Sequence, residues 1–476
     1  MAIFYPQAWA AMRVVFDGLG EEDSKELIIR PIQPRAASVG LNGYNLADTF
    51  ELEFHADILP FSPELIRAVG VDLYMFQTEK LETDPSPFLV EKNRLVTGIL
   101  DEFAMDYSSG GRVVRGTGRD YTALLLDKKW LPTDTLDMGD DLVATVQKVL
   151  DKYYEAVGRR GKKLTAVYSA DLPAPVVGGV QEGIVKKSVA HTTGKPKQKP
   201  RTSNGRKKVI KKRWPVPTGR SYWDVIYELC LSFGYISYVS GESVIVHAPQ
   251  SLSDESSGRA LHFAYGHNLE TLDISRKLSN QAAPQVVASY YDQKARQFIE
   301  VRFPLDNTSV GEKKRYATGV GGNTVHFRRV AAPPGIGDPK TLTEYLSAAY
   351  HLYGRAEAAV KFSTKSLRGL DNPKVKDAET DLIRLRPGNP VAIGWDSVAR
   401  SDIRELSREE KREKLLNAGY SREVSRIIAE NYDKLDSLRR PFYTKAVSFN
   451  WSISGGLSVE VEAINYINPK REEAKA

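Results

Sequence analysis

Two stretches near opposite ends of the chain alternate apolar and polar residues with a period of two, and this pattern limits the fold more than any other feature. In NGYNLADTFELEF (42–54), Phe50, Leu52 and Phe54 alternate with Thr49, Glu51 and Glu53. In AVSFNWSISGGLSVEVEAINYI (446–467), Val447, Phe449, Trp451 and Ile453 alternate with Ser448, Asn450 and Ser452. After Gly455-Gly456, Leu457, Val459 and Val461 alternate with Ser458, Glu460 and Glu462. Successive side chains of a strand point to opposite faces, so these segments are strands with one face against a core. The other face is polar to acidic, and the Gly-Gly pair turns the second segment into a hairpin.

Other strand signals surround the first stretch: KELIIR, VDLYMF and NRLVTGILDEF, separated by glycine-rich turns such as YSSGGR. Short, regularly spaced strands predict a small barrel or sandwich. PELIRAVG reads as one helical turn or a short helix between two strands. RVVRGTGRDYTALLLDKKW reads as a strand, VVR, then a glycine-rich turn delivering Tyr121, Leu124 and Leu125 into a second core. It fits neither phosphate-loop pattern. A helix is expected over DDLVATVQKVLDKYY, with Leu142, Val146, Val149, Leu150 and Tyr153 on one face. A second is expected over YWDVIYELCLSFGY, with Trp223, Ile226, Tyr227 and Cys230 as its stripe and Gly234 closing it. YISYVSGESVIVHAP follows as a hairpin turning at Ser240-Gly241.

From about residue 265 the chain reads as β again, with LETLDISRKLS and QVVASYYDQKARQFIEVRF as strand and hairpin. A helix is expected over TLTEYLSAAYHLY, with Leu342, Tyr345, Leu346, Ala349 and Tyr353 inward, and RPGNPVAIGWD turns into a strand. Residues 407–434 form a helical pair: Ser407 with Glu410 is a capping box, Gly419 ends the first helix and Ser421 caps the second. The fold class is thus α+β, mainly β, with a β-rich unit at each end.

The net charge of +7 belongs to one segment. Lys186, Lys187, Lys195, Lys197, Lys199, Arg201, Arg206, Lys207, Lys208, Lys211, Lys212 and Arg213 fall in a stretch without Asp or Glu; without those twelve charges the remainder stands at −5. Rich in Lys, Pro, Thr and Gly, the stretch has little to bury and reads as a disordered or extended solvated loop. Its functional reading is a partner-binding arm, for phosphates of nucleic acid or an acidic protein.

No apolar run approaches the ~18 residues of a membrane span, and the N-terminus lacks the basic start of a signal peptide. Cys230, the single cysteine, precludes an intrachain disulfide or a cysteine zinc cluster and is expected in the core. His262 and His267 in HFAYGH lack a third ligand. No hydrolase motif stands out, and the tryptophans fall within apolar patterns, so no enzyme, metal or cofactor is expected.

The phrases LNGYNLADTFELEFHADILPFSPELIRAVGVDLYMF, GRDYTALLLD, SYWDVIYELCLSFGYISYVSGESVIV and PGNPVAIGWD, in this order across most of the chain, resemble the baseplate hub proteins of contractile phage tails, the late control protein D group. The same fold begins the spike proteins of type VI secretion. The resemblance implies two tube-type β-barrel domains, 1–115 and 263–476, the second with helical insertions around 338–362 and 407–434. An α/β domain, 116–262, carries the basic loop between them. It implies a homotrimeric ring whose six barrels surround a channel and join a sixfold tail tube or tube-initiator protein to a threefold spike. No spike β-helix is fused to the chain, so a separate spike protein is implied, along with other baseplate proteins and a place in the virion after synthesis in the host cytoplasm. DNA passes without specific binding, which favours a polar or acidic wall over a basic one. Glu51, Glu53, Ser448, Asn450, Ser452, Glu460 and Glu462 are the candidate channel-lining residues; the plainer reading turns them to solvent or neighbouring subunits. Rival readings are a nucleic-acid-binding protein acting through the 186–213 arm and a tail-associated cell-wall hydrolase.

Overall fold

The computed structural model describes residues 5–16, 27–43, 46–55, 63–108, 111–131, 136–137, 141–158, 162–168, 213–214, 219–232, 235–247, 260–275, 286–292, 296–303, 328–329, 342–343, 346, 356–370, 381–395, 406–435 and 442–466. The N-terminal strands are β1 (Tyr5–Phe16), β2 (Leu27–Ile28), β3 (Ala36–Asn42), β4 (Thr49–His55), β5 (Ile66–Thr78), β6 (Arg94–Ser108) and β7 (Gly111–Asp120). They pair antiparallel in the order β3-β4-β7-β6-β5-β1-β2. Burial alternates along β3 and β4 as the sequence pattern requires: Val39, Leu41, Phe50, Leu52 and Phe54 are buried, while Glu51 and Thr49 are exposed.

One expectation is met in its smaller form and another fails. PELIRAVG makes the single helical turn, a 3-10 turn over Pro63–Leu65, but no short helix, and runs as strand from Ile66. Its β-branched and alternating residues answer β1 residue by residue, which overrides the local turn signal. The GTG of β7 is also strand, and no turn interrupts it before Asp120. Its glycines make room for packing: a Cβ on Gly118 would stand 2.5 Å from Phe50 Cζ and 2.2 Å from the Ile99 carbonyl oxygen, and one on Gly116 would stand 3.0 Å from Leu100 Cδ2. Gly118→Ala is therefore expected to cost about 1–3 kcal/mol through overpacking, read as a lowered denaturation midpoint.

The middle of the chain holds α1 (Thr122–Asp127), β8 (Leu136–Asp137), α2 (Leu142–Val157), β9 (Thr165–Tyr168), β10 (Arg213–Trp214), α3 (Tyr222–Ser232), β11 (Ile236–Ser240) and β12 (Ser243–His247). Asp141 caps α2 by accepting from the Ala144 amide at 2.7 Å. Leu142, Val146, Val149, Leu150 and Tyr153 pack with Trp223, Ile226 and Cys230 of α3 in one core. Burial pushes the Cys230 thiol up to about 12, so it packs as a small apolar group. Tyr227 is only half-buried. Gly234 and the basic residues before Arg213 lie outside the described residues. The β11–β12 hairpin pairs Ser240 with Ser243, so its turn is Gly241-Glu242, one residue later than expected.

The remainder contains β13 (Leu261–Tyr265), β14 (Thr271–Ser275), β15 (Val286–Asp292), β16 (Gln297–Phe303), β17 (Arg328–Arg329), β18 (Ala356–Thr364), β19 (Pro390–Trp395), α4 (Arg408–Asn417), α5 (Arg422–Leu435), β20 (Phe442–Ser452) and β21 (Gly456–Tyr466). The Ser407–Glu410 capping box forms, Gly419 adopts φ +89°, and the Ser421 hydroxyl accepts from the Val424 amide. Of the helix expected at 341–353, Leu342, Thr343 and Leu346 are described, all helical, with both leucines buried.

β20 splices the two ends of the chain. Its first residues, Phe442 and Tyr443, pair with β19, and Ala446–Ser452 pair antiparallel with Asn42–Ala36 of β3. Its other edge pairs with β21, which pairs with β18, which pairs with β14. The result is one 13-stranded sheet. Phe50, Leu52 and Val71 share a single buried cluster with Phe263, Phe362, Phe449 and Val459, and the Trp451 indole donates to the Pro6 carbonyl at 2.9 Å. No helix among the described residues is long and apolar enough to cross a membrane.

Candidate functional site: the polar face of the spliced sheet

Register decides which side chains share a face. Because facing residues of paired strands point the same way, a row can be followed across the sheet. Thr271 faces Ser363, Ser363 faces Glu460, Glu460 faces Ser448, Ser448 faces Gly40, Gly40 faces Thr49 and Thr49 faces Arg119. The next rows carry Ser458, Asn450, Ser38, Glu51, Thr117 and Glu102, then Ser452, Ala36, Glu53, Arg115 and Ala104. Glu51, Glu53, Ser448, Asn450, Ser452, Glu460 and Glu462 thus lie on one face, contributed by β4, β20 and β21. Strands β14, β18, β3, β7 and β6 complete that face. Their charged contributions, Asp273, Lys361, Arg115, Glu102 and Asp106, were not singled out in the sequence; the alternation in DEFAMDYS carries Glu102 and Asp106, and the register adds the other three.

The carboxylates outnumber the cations that answer them. Lys361 Nζ lies 3.0 Å from Glu460 Oε2, and this neighbour raises the lysine pKa. Lys445 Nζ is 2.9 Å from Glu462 Oε1. Arg115 lies 3.6 Å from Glu53 and 3.3 Å from Asp106, and Arg35 approaches Glu53 at 3.6 Å. These pairs are solvent-exposed, so they add little to stability and weaken with salt. The Ser38 hydroxyl donates to Asn450 Oδ1 at 2.8 Å across the β3–β20 seam. Around this seam the face forms a concavity of about 400 Å³ lined by Ser38, Glu51, Glu53, Asn450, Ser452 and Ser458.

The eight strands end in two edges. β14 pairs only with β18, and β6 beyond Leu100 pairs only with β7, among the described residues. On the opposite side of these edges sit Ile274, 40% exposed, and Tyr107, 69% exposed at the β6–β7 tip, with the Arg112 guanidinium 5.5 Å from its ring. Of the basic candidates, Arg213 alone is described, its backbone opposite Asp137 in β8; the other eleven lie outside the described residues. Among the described residues no three His, Cys, Asp or Glu side chains cluster in a way that could hold a metal ion.

No family model matches the sequence, and no curated protein matches it. Solved structures do match. The tail protein from Neisseria meningitidis MC58 superposes with a TM-score of 0.52 at 12% identity, covering 96% of this chain and 97% of that one. The 43 kDa tail protein of prophage MuSo2 from Shewanella oneidensis superposes with a TM-score of 0.50 at 10% identity, covering 96% and 98%. At such identity the likeness is one of fold alone, and it extends over nearly the whole of both chains. Over nearly its whole length, then, this chain has the fold of phage tail proteins.

Proposed function

We propose that the chain is the structural hub of a contractile-tail baseplate: a homotrimeric ring joining the sixfold tail tube to a threefold spike, with a channel for DNA. The observation that carries this reading is the spliced sheet, with one polar face and, among the described residues, an open strand edge on β14 and on β6 beyond Leu100. An open strand edge is a template for another strand. Pairing β6 of one copy with β14 of the next is a head-to-tail contact, which closes into a ring if the rotation allows. Eight strands from each of three copies make twenty-four, which at ~4.8 Å spacing gives a backbone diameter of roughly 37 Å, widened further by strand tilt.

In this arrangement residues 1–115 and 263–476 act as two tube-type barrel units per subunit, with the α/β unit 116–262 outside. The seven candidate residues line the bore, where excess carboxylates leave passing phosphates without cations to hold them. The basic arm lies outside the channel and contacts acidic baseplate neighbours. The activity is mechanical rather than enzymatic.

Native mass spectrometry with negative-stain microscopy tests the reading: a trimeric mass and a threefold ring with a central hole are expected. A compact monomer at micromolar concentration overturns it. Deletion of 186–213 separates it from the nucleic-acid-binding alternative, which requires DNA affinity to vanish with the arm. Clearing of a cell-wall zymogram would favour the hydrolase.

A further inference from the structure

Two phrases of the sequence, NLADTF and GRDYTA, bring together a pair of aspartates that the polar face does not use. Asp48 precedes β4, Asp120 ends β7, and both are buried, at 6% and 2% exposure. The Asp48 amide donates to Asp120 Oδ1 at 3.2 Å, and the Asp120 amide donates to the Asp48 carbonyl at 3.0 Å. Asp48 Oδ1 accepts from the Asn42 amide at 2.7 Å; Asp120 accepts from the Thr122 amide at 3.2 Å and from its hydroxyl at 2.7 Å.

Three parts of the molecule meet here. A cavity of about 10 Å³, room for at most one water, separates the aspartates from Arg94–Thr97 of β6, Val239–Gly241 of the β11–β12 hairpin, and Arg386. The Arg386 guanidinium donates to the carbonyls of Ile383, Leu385 and Leu95, tying the turn before β19 to β6. Next to it Gly388, at φ +87°, is wedged so that a Cβ would lie 2.8 Å from Ile236 Cδ1 of β11. Arg386 is the cation facing the pair, and Arg94, bound to Glu91, lines the cavity. From β11 and β12 the facing titratable groups are Tyr238 and His247, whose rings lie 6.3 Å apart.

One carboxylate balances Arg386. A second ionised carboxylate in the same buried pocket meets, among the described residues, only Arg94, which Glu91 already holds, and burial and mutual repulsion both disfavour it. We propose that Asp48 and Asp120 retain one proton between them and form an acid-set latch at the junction of the two β regions and the α/β unit. Loss of that proton leaves an uncompensated buried charge and loosens the junction. Burial raises Asp48 to about 7, and burial followed by the Asp48 charge raises Asp120 well above the ordinary carboxylate range. Both folded-state values exceed those of the unfolded chain. The stabilisation is therefore complete below about pH 4 and is lost as pH rises through 7.

The test is thermal and chemical denaturation of the whole chain between pH 5.5 and 8.5. For the wild type the unfolding constant is expected to rise by up to tenfold per pH unit for one retained proton. Asp48→Asn, which keeps the acceptor for the Asn42 amide, should be flat across this window. An Asp48→Asn slope equal to that of the wild type overturns the proposal. Infrared difference spectra of the wild type serve if the variant does not fold: a protonated-carboxyl band present at pH 6 and gone at pH 9 supports the latch, and its absence at pH 6 refutes it.

Discussion

Ile274→Asp is expected to leave the subunit folded and to abolish its self-assembly. Ile274 sits on the free edge strand β14, largely outside the core, so its replacement removes little from the isolated chain. At a β6–β14 contact between copies it would be covered. The variant then loses roughly 1.5–3 kcal/mol of apolar burial and must also strip water from a carboxylate. At about 1.4 kcal/mol per tenfold, each contact weakens on the order of 100- to 1,000-fold. Sedimentation velocity reads the result directly, as trimer for the wild type and monomer for the variant with an unchanged circular dichroism spectrum. Tyr107→Asp, at the opposite edge, should reproduce it. Wild-type assembly by both variants would remove this edge pairing from the hub account.

Phe449→Ala should produce the largest loss of stability of any single truncation considered. Phe449 is fully buried, at 0% exposure, on β20, between Val459 of β21 and Val39 of β3. Removing a buried phenylalanine costs about 3–5 kcal/mol, and for a cooperative unit of this size, at about 1 °C per kcal/mol, this lowers Tm by roughly 3–5 °C. Because the cluster around it is common to both β regions, the loss should move one cooperative transition. Calorimetry that finds the N-terminal strands melting at their wild-type temperature in the variant would show that the splice does not couple the two ends.

The strands with clean alternation were legible, since period-two burial is imposed by any sheet with one covered face. β4, β20, β21 and the helices α2 to α5 follow from pattern and caps alone. Strand partners were not legible. Nothing local in ASVGLN says that its neighbour is Ala446–Ser452 rather than another strand of its own unit, because pairing is settled by core shape and turn geometry across the whole chain. The glycines of β7 misled for a related reason: they read as turn formers, but here their missing Cβ atoms admit Phe50 and Leu100. Asp48 and Asp120 are both residue types common at turns, and only the tertiary fold, which joins positions 72 apart, makes them a buried pair. The seven candidate face residues were reachable from alternation, whereas Asp273, Lys361 and Arg115 needed the register to join them.

The splice also orders events in time. Ser38 and its partner Asn450 stand 412 positions apart, so β3 emerges from the ribosome long before the strand that covers it. At 5–20 residues per second, its edge waits roughly 20 to 80 seconds for β20. A truncated or half-translated polypeptide lacks the seam that joins β3 to β20. If copies pair through β6 and β14 as proposed, such a polypeptide has no complete pair of edges to offer a neighbour, and recruitment waits until translation has passed β21.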